Sequence, residues 1–198
     1  MLRLFNDRPV QSSEECLVRY NLMDRLDSFL SYAFVDESAP ILNSLPLEIK
    51  LQDDLRIQVK GLGGGPYKGK LPDTLKDLRQ FMPQIHKRTQ DSLTVQRLFV
   101  PGEKAPRALR RVLGSLIRSL RPGLNLNTIH EMTLSAENQV LEANKTYYHR
   151  LQDLTRTAQS KSPDESKPPG REATLEALSQ LAEQQLGHMQ EYVGRLGL

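Results

Sequence analysis

The spacing of hydrophobic positions along this chain of 198 residues changes period several times, and each change marks an element. Ser12 and Glu15 form a capping box, in which each side chain satisfies a free backbone N–H at a helix start. Val18, Leu22, Leu26, Phe29, Leu30 and Ala33 follow at helical spacing, which predicts a helix from about Ser12 to Phe34. The period then drops to two. Leu47, Ile49 and Leu51 alternate with Glu48 and Lys50, and Leu55, Ile57 and Val59 alternate with Arg56, Gln58 and Lys60. Two alternating runs around Gln52-Asp53-Asp54 predict a β-hairpin with one buried face. Leu71 to Met82 reads as a short helix entered through Pro72 and Asp73, and Leu93 to Val100 as a third strand stopped by Pro101-Gly102.

Three longer helical patterns follow. Leu109, Val112, Leu113, Leu116, Ile117 and Leu120 mark a helix from Ala105 to Arg121, with Pro106 in its first turn and Pro122-Gly123 at its end. Ile129, Met132, Ala136, Val140, Ala143, Tyr147, Leu151 and Leu154 are spaced by threes and fours, a coiled-coil-like seam over about 128–158. Residues 160–171, SKSPDESKPPGR, have the composition of a flexible linker. Leu175, Leu178, Ala182, Met189, Tyr192 and Leu196 place a last helix after it.

The fold class that results is α+β and helix-rich: a small antiparallel hairpin or sheet packed with helices, plus a long C-terminal helical, coiled-coil-like extension. It comprises a body over residues 1–126, a long helix over 127–159, the linker 160–171 and a final helix over 172–198. Narrow apolar seams must be covered by something. Ile129, Met132, Ala136, Tyr147, Leu151, Leu175, Leu178, Met189, Tyr192 and Leu196 are therefore the candidate self-association positions. They can close as a hairpin within one chain or between chains, and the expectation is a homo-oligomer.

Composition narrows the class. Hydrophobic residues make up 38% and Trp is absent, which suits an elongated helical protein better than a compact enzyme. No apolar run is long enough to span a bilayer, and the N-terminal residues lack the pattern of a signal or transit peptide, so the chain reads as intracellular. The single Cys16 can form neither an internal disulfide nor a zinc cluster, and His86, His130, His149 and His188 have no metal-ligand spacing. Neither a metal nor another cofactor is expected.

Charge changes the picture most. The net charge of +3 divides into −3 over residues 1–46, +9 over 47–121 and −3 over 122–198. Within the basic middle, Arg107, Arg110, Arg111, Arg118 and Arg121 fall in roughly a 100° arc of their helix, opposite its apolar positions. No acid interrupts them, and the guanidinium fork suits bidentate contact with phosphate or carboxylate. Their partner is either an external polyanion or an acidic surface of the same protein.

The stretch GLGGGPYKGK, residues 61–70, resembles a phosphate-binding loop only superficially. Leu71 stands where a metal-binding hydroxyl belongs, Pro66 removes an N–H donor, and the preceding strand belongs to a hairpin rather than a βαβ unit. The loop reads instead either as a solvated hairpin extension whose lysines keep it soluble, or as a cationic tip with Lys60, Lys68 and Lys70 for phosphates and Tyr67 for stacking on a base. The expectation is thus a non-enzymatic, oligomerising protein whose basic body contacts nucleic-acid phosphates without sequence readout, and whose helices contact protein. The competing expectation is a structural assembly subunit, of the matrix, scaffold or secretion kind, whose basic face meets acidic protein or, peripherally, anionic lipid.

Overall fold

A computed structural model describes residues 24–196 apart from 34, 37–38, 62–66, 104 and 161–169. The Ser12–Glu15 capping box, Cys16, the glycine run and most of the linker lie outside the described residues. The architecture is α+β, with four α-helices, a short 3-10 segment and two small sheets among the described residues.

The part of the first predicted helix before Asp24 lies outside the described residues. Asp24 has an extended backbone and its side chain accepts the Asp27 N–H at 2.7 Å, so it caps the helix α1 (Arg25–Tyr32). Ala33 closes the helix in the left-handed conformation (φ 60).

The hairpin forms as its alternation predicts. β2 (Leu47–Lys50) pairs antiparallel with β3 (Arg56–Val59), with Ile49 opposite Ile57. The turn between them places both Asp53 and Asp54 at positive φ, which accounts for adjacent aspartates there without any catalytic role. β3 pairs in parallel with β5 (Ser92–Val95), and β4 (Ile85–Arg88) adds to the far side of β5, giving the order β2-β3-β5-β4. Ile49, Ile57 and Leu93 share one row across this sheet and are fully buried.

The third predicted strand divides in two. After β5 the chain turns through Gln96-Arg97, and β6 (Phe99–Pro101) pairs antiparallel with β1 (Ile41–Asn43) in a second sheet. Arg97 sits almost buried at that turn, 4.5 Å from the centre of the Phe99 ring and within the field of Asp27 and Asp24. The segment predicted as a helix over 71–82 is only a 3-10 turn, Asp73–Leu78.

α2 (Ala108–Leu120) buries all six residues of its apolar stripe together with Ala108. α3 (Leu126–Ser160) is 35 residues long and packs against both α2 and α4 (Arg171–Leu196). The Arg171 guanidinium donates to the Ala158 carbonyl at 3.0 Å and ties the two ends of that hairpin. The C-terminal helices share their core with the rest of the described chain. Met132, Ala136, Val140, Tyr148, Ala182, Met189 and Tyr192 belong to the same continuous core as the strands and α2.

Candidate anion-binding surface

α2 faces the core with Leu109, Val112, Leu113, Leu116 and Ile117 and turns its arginines outward, as its period requires. Three of the five find acidic partners inside the chain. Arg110 donates through Nε (2.9 Å) and Nη2 (2.6 Å) to one oxygen of Glu137, a fully buried residue of α3. The other Glu137 oxygen accepts the Tyr192 hydroxyl at 2.6 Å, so one carboxylate joins α2, α3 and α4. Burial, and then this acidic neighbour, push the Tyr192 phenol pKa well up, which keeps it a donor. Arg111 bridges to both oxygens of Asp77 (2.5 and 3.1 Å) and to the Thr74 carbonyl, clamping the 3-10 segment. Arg121 reaches Asp91 at 3.0 Å.

The internal alternative therefore describes Arg110, Arg111 and Arg121. Arg107 and Arg118 remain exposed without an acidic partner among the described residues. Lys60, Lys68 and Lys70 are exposed as well. Tyr67 does not stand free for stacking. It is half-buried against the core, with its phenol folded over Gly69 so closely that a side chain there would collide with it.

The structure adds four cations that periodicity did not single out. Lys50, Arg79, Lys87 and Arg88 are exposed and have no acidic partner among the described residues. Lys87 and Arg88 lie on β4, an edge strand whose four residues are all exposed, and Arg88 reaches the Ser119 carbonyl at the end of α2. That strand has no alternation to find, so only the run Ile85-His86-Lys87-Arg88 itself signalled it. The opposite edge is closed. The Gln139 amide of α3 both accepts from the Lys50 N–H (2.9 Å) and donates to its carbonyl (2.8 Å).

Six of the sixteen cations in residues 47–121 are thus accounted for within the chain. Arg56, Lys76, Arg111 and Arg121 pair with acids of the same segment, Arg110 pairs with Glu137, and Arg97 lies beside Asp27 and Asp24. Lys104 lies outside the described residues. The other nine are exposed: Lys50, Lys60, Lys68, Lys70, Arg79, Lys87, Arg88, Arg107 and Arg118.

The candidate self-association residues are placed mostly inside. Ile129, Met132, Ala136, Met189 and Tyr192 are buried, and Leu151, Leu175, Leu178 and Leu196 are half-buried. Tyr147 is the exception. Its neighbour Tyr148 takes the buried place, while Tyr147 is 44% exposed and rests edge-on against it. Polar residues at buried positions, Thr133, Glu137 and Asn144, conceal the true register of α3 from a hydrophobic count.

A groove of about 430 Å³ runs between α4 and the turn after β6, lined by Pro40, Ile41, Phe81, Gly102, His188 and Arg195 among others. No described residue lining it is Ser, Thr or Cys, and Arg195 holds its carboxylates Glu191 (2.8 Å) and Glu103 (3.5 Å). Burial pulls the His188 pKa down, and its Nε2 bonds the Val100 carbonyl at 3.0 Å, which suits a neutral structural imidazole. Among the described residues no group of His, Cys, Asp and Glu could hold a metal ion, and no helix is long and apolar enough to cross a membrane. No protein-family model, curated protein or solved structure matches the chain.

Proposed function

We propose that this is a non-enzymatic binding protein that contacts nucleic-acid phosphates through its basic body. One observation carries the reading. After every described in-chain ion pair is assigned, nine exposed cations of residues 47–121 still lack an acidic partner among the described residues. They are spread over β2, the end of β3 at Lys60, the glycine-rich stretch, the turn after the 3-10 segment at Arg79, β4 and α2. Such a surface neutralises phosphates and releases counterions, and it requires no base-reading element. With Tyr67 folded back, stacking plays no part in the reading.

The test is the salt dependence of binding to single- and double-stranded oligonucleotides. A variant with Lys60, Lys68, Lys70 and Lys87 all replaced by Glu alters only exposed side chains. Weaker binding is expected, and the slope of log K against log salt should become shallower by roughly 0.7–0.9 for each phosphate no longer neutralised. Unchanged affinity for oligonucleotides would overturn the proposal. Binding confined to vesicles of anionic lipid would move the function to a membrane surface.

A further inference from the structure

α2 carries exposed charge of a single sign, and so does α4 between its terminal arginines, Arg171 and Arg195. No acid occurs from Ala105 to Arg121, and no Lys or Arg occurs between Arg171 and Arg195. Apart from the Glu191–Arg195 pair near the end of α4, both helices thereby forgo the opposite-sign pairs at i, i+4 that stabilise an exposed helix. Arg107 at the N-cap of α2 and Arg111 and Arg118 within it are exposed; on α4, Glu172, Glu176 and Glu183 are exposed. None of these three glutamates pairs with a cation among the described residues. Glu172 gains from the positive end of its own helix, but Glu176 and Glu183 lie beyond the first turn and have no such benefit.

The two triplets have the same spacing, four residues and then seven. At 100° and 1.5 Å per residue, such a triplet lies within about 40° of one line, with charges at roughly 0, 6 and 16 Å along it. Two helices laid side by side in the same direction set every Glu opposite an Arg. Laid in opposite directions, they misplace the middle charge by about 4.5 Å. Within one chain the match goes unused: α3 packs against both helices, and no arginine of α2 pairs with a glutamate of α4. Arg111 is already held by Asp77, but on an exposed surface where a second carboxylate can share it.

We propose that α4 of one copy docks in parallel along α2 of a second copy, through Glu172 with Arg107, Glu176 with Arg111 and Glu183 with Arg118. The apolar seams that the patterning assigned to oligomerisation are largely closed within the chain, so this is a different and electrostatic route to self-association. It rests on the charge pattern of two helices and stands independently of the nucleic-acid reading. The two uses share Arg107 and Arg118, so a bound polyanion competes with the second copy.

Light scattering after size exclusion of nuclease-treated, full-length protein tests it. At low ionic strength the protein should run above its chain mass of 22.5 kDa and fall to it as salt rises. Glu172→Lys with Glu183→Lys, and separately Arg107→Glu with Arg118→Glu, should each be monomeric at low salt. Mixed in equal amounts, the two variants present complementary faces in both directions and should recover the larger species. None of these four side chains has an in-chain ionic partner among the described residues, and circular dichroism checks that each variant is folded. Monomeric wild-type protein at low salt overturns the proposal, and so does a larger species that disappears on nuclease treatment. If either variant does not fold, the wild-type salt series decides alone. Failure of folded variants to recover on mixing also overturns it.

Discussion

Glu137 carries three helices on one carboxylate, and it shows how a single buried charge governs the surface above it. With Arg110 removed, that carboxylate stays buried without its counter-charge. Arg110→Ala should therefore cost about 3–5 kcal/mol, read from denaturant unfolding. Tyr192→Phe, which removes one hydrogen bond to a charged group, should cost about 1.5–3 kcal/mol. Arg110 is consequently unsuitable for testing polyanion binding, because any loss of binding would be confounded with loss of fold. Asp24 makes the second case. It is fully buried and accepts N–H groups from Asp27 (2.7 Å) and Asn43 (2.6 Å), yet burial raises its pKa from 3.8 to about 6. Between those values the folded state binds the proton more readily than the unfolded chain. Stability should thus rise as pH falls from about 6 towards 4, by at most about 3 kcal/mol. Unfolding midpoints over that range should show the slope, and Asp24→Asn should flatten it to the part left by Asp27, whose pKa burial also raises.

At the scale of elements, α4 behaves as part of the core. Patterning alone suggests that truncation after Gln159 leaves the hairpin and α2 intact. The structure gives the opposite expectation. Ala182, Leu186, Met189 and Tyr192 are buried in the common core, Tyr192 caps Glu137, and Gln185 lies 3.4 Å from Asp24. Losing four such side chains at about 1.5–3 kcal/mol for each large one is comparable with the whole stability of a domain. The truncated chain should lose cooperative unfolding and protease resistance, measured by circular dichroism and limited proteolysis. The glycine-rich segment likewise takes its meaning from its neighbours. After Lys70 come Leu71-Pro72 and a six-residue 3-10 turn rather than a helix N-terminus. ATP or GTP with magnesium should show no binding by calorimetry, and Lys70-dependent binding would contradict this account of the segment.

Over the whole molecule, charge is organised by in-chain neutralisation. The acids Asp77, Asp91 and Glu137 each take one arginine of α2, and what remains exposed is a sparser, dispersed set of cations rather than one arginine stripe. Polyanion affinity should therefore fall gradually as single lysines are replaced, without one dominant position. A series of single variants at Lys60, Lys68, Lys70 and Lys87, measured at one salt concentration, separates this from a localised site.

Local periodicity was enough to establish that the chain is α+β, that 47–59 is a hairpin, and that Leu109 to Leu120 form the buried stripe of a helix. Each depends on a repeat of two or 3.6 residues, which a sequence displays directly. The basic middle segment was legible for the same reason, since charge is a property of composition. What the tertiary structure decided are pairings across distance: Arg110 with Glu137, 27 residues apart, and Tyr192 with Glu137, 55 apart. No period links such residues, so whether an arginine faces solvent, an acid of the same chain or a partner could not be read from α2 alone. The same holds for the register of α3. Glu137 and Asn144 are buried because other elements bring them partners, and a hydrophobic count passes over them and selects Tyr147 where the fold buries Tyr148.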